Sequence, residues 1–166
     1  MTYQITQTSS LNGNNKHNEK WLDDSNSKEI DAKIHLITNS LSRNYYGSIL
    51  QKLAKRNYNN ADIICNYIIA EQTELNIKNS TKESRIKVLV WLSNFFNDEL
   101  SFRKMTKQNI LCYLDSLRKP ILEEASQKWI GSYNARQIIF NKFFRWLYNP
   151  QESDHRARDT YGNEGH

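Results

Sequence analysis

An all-α protein is what this sequence predicts, and three observations carry the expectation. Apolar residues recur at three- and four-residue steps in several separate stretches. Glycine (5) and proline (2) are too scarce for a turn-rich β architecture. The periodic stretches are bounded by residues that cap or stop helices. The expected architecture is a four-helix bundle over residues 61–149, with a disordered arm (1–26) and a helical extension (27–60) before it and a disordered tail (150–166) after it.

Residues 1–26 are rich in Asn, Ser, Thr and Gln and have few apolar residues beyond Trp21 and Leu22, too few to offset the entropy of ordering. From Ser27, a candidate cap, Ile30, Ile34, Ile37 and Leu41 recur at helical spacing. A second short helix is expected through Tyr45, Tyr46, Ile49, Leu50 and Leu53, weakened by Gly47, and the run Lys55 to Asn60 reads as a connector. The compact part is expected to begin near Ala61, where Ile64, Tyr67, Ile68, Glu71 and Leu75 share a stripe.

Ser80-Thr81-Lys82-Glu83 has the form of a capping box and opens the next helix, which carries Ile86, Leu89, Val90, Leu92, Phe95 and Phe96 and dissolves at Asn97, Asp98 and Glu99. Leu100 to Met105 bridges to a helix capped at Thr106, bearing Ile110, Leu114 and Leu117 and followed by Pro120. Ile121 to Gln127 reads as a loop. The stretch from Lys128 to Pro150 is the longest helix, stopped by the proline. Tyr133, Phe140, Phe144 and Leu147, with Ile139, Phe143 and Trp146, form two adjacent apolar rows. Asn134, Ile138, Asn141, Lys142 and Arg145 are left on the opposite side, a polar and basic row without an acid.

The net charge is +5, and the excess lies in the body: residues 61–149 hold 13 Lys and Arg against 9 Asp and Glu, the last 17 residues 2 against 4. That balance fits an anionic partner. Cys65 and Cys112 fall inside apolar helical patterns with no metal-ligand spacing, so both are expected reduced and buried. No apolar stretch reaches membrane-span length and the first residues lack a signal-peptide core, so an intracellular, cytoplasmic protein without membrane contact is expected.

Phosphate loops, paired-cysteine zinc spacings, His-Glu-x-x-His and nucleophile elbows are missing, and Glu71, Glu74, Asp98, Glu99, Glu123 and Glu124 read as helix-end or surface carboxylates. No catalytic residue, metal, cofactor or small-molecule substrate is expected. Lys78, Lys82 and Arg85 lie at four- and three-residue steps beside Ser80 and Thr81. They read either as a phosphate-binding corner at a helix N-terminus or as a simple cap with solvated cations. The last helix repeats the pattern: Lys128 precedes it, and Ser132, Tyr133, Asn134 and Arg136 fill its first turns, with Lys142 further along. Asn and Arg can read base edges bidentately. Trp129 reads as a packed lid more readily than as a stacking platform, and Gly131 as a turn or a point of close approach of the backbone to DNA.

In order, these landmarks resemble the SAM-like core-binding domain of the tyrosine recombinases, the phage-integrase family. The resemblance rests on Ile64, Tyr67 and Ile68; on Ser80, Thr81, Lys82 and Arg85 followed by Leu92-Ser93-Asn94-Phe95-Phe96; on Met105-Thr106 to Leu114; and on Phe143-Phe144-Arg145-Trp146-Leu147. Lys128-Trp129-Ile130-Gly131-Ser132-Tyr133-Asn134 looks especially like the archaeal branch. The resemblance covers a little over half the chain. It implies double-stranded DNA as partner, with Lys82, Arg85, Asn134 and Arg136 as contact residues and Lys78, Ser132 and Lys142 beside them. An intact recombinase, or further copies of the chain on DNA, is the implied protein partner, and association with the nucleoid follows.

The family's catalytic Arg, Lys, His-x-x-Arg and Tyr have no counterpart here. His155-Arg156-Ala157-Arg158 spells His-x-x-Arg, but Tyr161 follows too closely and the match reads as chance. The expectation is therefore a non-catalytic DNA-binding module in DNA recombination and integration. The alternative is a helical protein-interaction domain that pairs with an intact recombinase or another helical partner.

Overall fold

The structure, a computed structural model, describes residues 15–118 and 129–149, with side chains from Ser25 onward. It contains six α-helices and one short 3-10 turn, and no strand occurs among the described residues. Helix α1 spans Asn15–Thr38, α2 Tyr45–Arg56, α3 Tyr58–Leu75, α4 Asn79–Phe95, α5 Lys107–Asp115 and α6 Trp129–Tyr148, with the 3-10 turn at Phe102–Lys104. The all-α expectation holds. The tail from Pro150 onward and the loop from Ile121 to Gln127 lie outside the described residues.

The largest difference from the sequence reading is where the bundle begins. Ile30, Ile34, Ile37 and Leu41 from α1 and its exit, and Leu50 and Leu53 from α2, are buried in the same cluster as Ile64, Ile68, Ile86, Leu89 and Phe143. Residues 27–60 are thus part of one core, in which α1 packs on α2 and α3, α2 on α3 and α4, and α6 on α3, α4 and α5. Burying an aliphatic side chain stabilises by about 1.5–3 kcal/mol, so six of them are reason enough for α1 and α2 to dock. Helix α1 starts at Asn15, and Ser27 lies inside it instead of capping it. Once Ile30 to Ile37 are packed, extending the helix adds a hydrogen bond per residue without a new nucleation cost.

The expected connector from Lys55 to Asn60 shrinks to one residue. Asn57 ends α2 and caps α3, its side chain accepting from the Asn60 N–H at 3.0 Å and donating to the Asp98 carbonyl at 2.7 Å. Asn60 is fully buried and satisfied: it donates to Ser93 Oγ and the Leu100 carbonyl, both at 3.0 Å, and accepts from the Phe102 N–H at 2.9 Å. These bonds tie the exit of α4, where Asn97 and Asp98 turn through left-handed φ of 54° and 59°, onto the start of α3. Thr106 caps α5 as expected, in a reciprocal box with Asn109.

The Ser80 capping box does not form. Helix α4 starts two residues earlier, at Asn79, with Lys78 in the cap position and no side-chain cap bond. Tertiary contacts outweigh the local motif. Asn79 exchanges hydrogen bonds with the Ser40 carbonyl (2.7 Å) and Ser40 Oγ (3.1 Å), and Glu83 accepts from Tyr46 at 3.4 Å. Both contacts draw the helix start onto the α1–α2 connection.

The cysteines divide. Cys65 is buried and free, whereas Cys112, expected buried, is exposed on the outer side of α5. Burial pushes the Cys65 thiol up to about 12. The folded chain keeps that proton while the unfolded chain releases it from about pH 9, so the Cys65 share of stability is intact below pH 9 and is lost as pH rises toward 12. A thiol reagent at pH 8 is therefore expected to titrate one thiol in the native protein and two in denaturant, with Cys112→Ser removing the fast one. Two fast thiols in the native state would contradict the burial of Cys65.

Candidate nucleic-acid interface

Helix α6 places its residues as its periodicity demands. Phe140, Phe143 and Leu147 are buried, Tyr133, Ile139, Phe144 and Trp146 are partly buried against the core, and Asn134, Ile138, Asn141, Lys142 and Arg145 are all exposed. The polar and basic row is a real outer face. Tyr148 anchors the C-terminal end of α6, its hydroxyl lying 3.4 Å from the Arg103 carbonyl and 3.5 Å from that of Met105. Arg103, Lys104 and Lys107 are exposed on the segment so anchored.

The sequence reading missed these three cations, although a signal for them exists. Residues 101–149 hold 9 Lys and Arg against 3 Asp and Glu, more than the excess of the whole chain.

The expected phosphate corner at α4 is not assembled from the cations named for it. Lys82 is 2% exposed and Arg85 7% exposed. Lys82 Nζ donates to Ser40 Oγ at 3.0 Å, and Arg85 forms an ion pair with buried Glu71 and stands 5.8 Å above the centre of the Tyr67 ring. Burial lowers the Arg85 guanidinium from its ordinary value. Glu71 and Asp98 are accordingly not surface carboxylates: both are buried, and Asp98 pairs with Arg56 Nε at 3.0 Å. Of the corner, Lys78 and Ser80 stay exposed and Thr81 is half-buried. Ser80, Thr81 and Ser84 do come beside α6, lining with Ile139 and an edge of the largely buried Arg85 a cavity of about 280 Å³.

Arg136 is not free to read bases either. It donates to the Tyr113 hydroxyl at 2.8 Å and lies 4.9 Å from the centre of the Trp91 ring, on which Lys87 also stacks at 4.6 Å. The guanidinium pins α6 to α4 and α5. Tyr133 is half-buried, with Arg118 5.4 Å from its ring centre and Trp129 edge-on at 6.1 Å, which makes Trp129 a packing residue. Gly131 is helical, with open space around it, and does not serve as a turn. Ser132, Asn134 and Lys142 are exposed as expected, and Lys128 lies outside the described residues.

No group of His, Cys, Asp and Glu able to hold a metal ion occurs among the described residues, and no described helix is long and apolar enough to cross a membrane. No family model, curated protein or solved structure matches the chain.

Proposed function

We propose that the protein is a non-catalytic DNA-binding module that lays the outer face of α6 against duplex DNA. One observation carries the reading: Asn134, Asn141, Lys142 and Arg145 are all exposed on one side of a rigidly packed helix that presents no acid there. Exposed Arg103, Lys104 and Lys107 extend that charge past the helix end. Side chains of this kind bind phosphates by counterion release, while the two asparagines can read adenine edges in a major groove. Recombination sites are the proposed targets, on the strength of the motif order shared with the tyrosine-recombinase core-binding domain. In this reading the contact set narrows to Ser132, Asn134, Asn141, Lys142 and Arg145, with Lys78, Ser80 and Thr81 flanking them. Lys82, Arg85 and Arg136 serve the fold.

The test is fluorescence anisotropy of a labelled duplex at about 50 and 200 mM salt, across which each neutralised phosphate contributes a slope near 0.9 per log unit of salt. Lys142→Glu/Arg145→Glu is expected to weaken binding more than tenfold on every sequence and to lower the salt slope by about 2. Asn134→Ala is expected to matter only on a preferred site. A folded wild-type chain with no duplex affinity at low salt would refute the proposal.

Ile138 favours a second reading. It is 58% exposed at the centre of the same face, an apolar residue suited to a helical protein partner. Ile138→Asp leaving DNA affinity intact while abolishing capture of such a partner would support that reading.

A further inference from the structure

We infer that two copies of this chain associate without DNA by exchanging the N-terminal turns of α1, each copy's Trp21–Asp24 segment docking into the groove between α5 and α6 of the other. This goes beyond the DNA reading and does not depend on it.

The groove is a cleft of about 300 Å³ with a mostly apolar floor, formed by Ile110 and Leu114 of α5 and Phe140 and Phe144 of α6. Lys107 and Asn141 stand on its rim. Arg103 and Lys104 are exposed on the segment leading into it. The floor asks for an apolar insert and the rim asks for acids beside it.

The chain itself carries that combination. Trp21 and Leu22 are the adjacent large apolar residues of a polar stretch, and Asp23 and Asp24 follow them directly, with Glu19 just before. Over residues 15–26 three acids stand against two lysines, whereas 101–149 is strongly basic, so the two regions attract. An indole with a leucine can fill an apolar pocket of this size, and tryptophan is a frequent interface anchor.

Exchange between copies follows from how α1 is built. Its backbone is helical without a break from Asn15 to Thr38, and Ile30, Ile34 and Ile37 hold its C-terminal half against α2 and α3. Twelve residues precede Ser27, about 18 Å at 1.5 Å per residue. Helix α1 is seated on α2 and α3, whereas the groove lies between α5 and α6. A second copy offers the same groove, and reciprocal exchange closes a two-fold dimer. Each contact is only a few helical turns long, so the dimer is expected in the micromolar range and salt-sensitive.

Sedimentation velocity of the full chain without DNA tests this, from about 1 to 100 µM at about 50 mM salt. The wild type is expected to move from 19.6 kDa toward twice that mass as concentration rises. Trp21→Ala/Leu22→Ala should raise the dissociation constant at least tenfold. Lys107→Glu should weaken association similarly. It cannot do so by unfolding, because an acid in the first turn of α5 suits the helix dipole. Combining Lys107→Glu with Asp23→Lys/Asp24→Lys restores opposite charges across the contact and should recover association. A monomer throughout, association unchanged by the Trp21/Leu22 variant, or failure of the charge swap to recover it would each overturn the inference. DNA affinity measured on the same variants is read separately and decides the other proposal.

Discussion

Glu71→Ala is expected to destabilise the fold by about 3–5 kcal/mol, because it leaves Arg85 buried and uncompensated between α3 and α4. The pair is deep: both side chains are 9% exposed, and Tyr67, whose hydroxyl has no hydrogen-bond partner among the described residues, lies under the guanidinium. At about 2–4 °C per kcal/mol for a chain of this size, the melting temperature should fall by roughly 6–20 °C. Glu71→Leu/Arg85→Met should recover most of that loss, since an apolar pair of similar volume avoids the desolvation of two charges.

Arg85→Glu is expected to unfold the chain by setting two carboxylates against each other in the core. Any loss of DNA affinity in that variant would then accompany a loss of helical circular dichroism. A folded Arg85→Glu protein that binds DNA poorly would restore Arg85 to the surface and contradict the buried pair. A Glu71→Ala protein within about 1 kcal/mol of wild type would do the same.

Phe143→Ala is the other large expected effect, a loss of about 3–5 kcal/mol. Phe143 is fully buried where α6 meets α3 and the 3-10 turn. Its ring stands edge-on to Tyr67 at 5.2 Å and to Phe102 at 5.1 Å, and stacks on Trp146 at 6.4 Å. Truncation removes those contacts and leaves a cavity that three neighbouring rings cannot close. Urea denaturation gives the stability, and near-ultraviolet circular dichroism should report loosened aromatic packing. Because α6 carries the proposed DNA face, Phe143→Ala should also weaken duplex binding, though it is far from the surface. Ile138→Ala on the exposed side of the same helix should stay within about 0.5 kcal/mol of wild type. Equal costs at the two positions would mean that α6 is not seated as described.

The sequence was legible wherever a helix is governed by its own period. The inner and outer rows of α6, the Thr106 cap, and the end of α4 at Phe95, just before Asn97 and Asp98, all follow from spacing and cap chemistry that neighbouring residues decide. The stripe of α4 held more than was read from it. Lys82 is four residues before Ile86 and Arg85 four before Leu89, so both cations sit on the apolar face that packs inward. Reading them by charge put them in solvent, and reading them by period puts them in the core.

What the sequence by itself determined is the set of helices, their apolar stripes, the acid-free outer face of α6 and the basic excess of residues 101–149, because each depends on residues close together in the chain. Only the tertiary structure decided that α1 and α2 belong to the core, that Glu71 neutralises Arg85, that Ser40 holds Asn79 and Lys82 in place of a local cap, and that Trp91 and Tyr113 take up Arg136. Each is a contact between residues more than ten positions apart. Its energy depends on which faces meet, which no local pattern specifies.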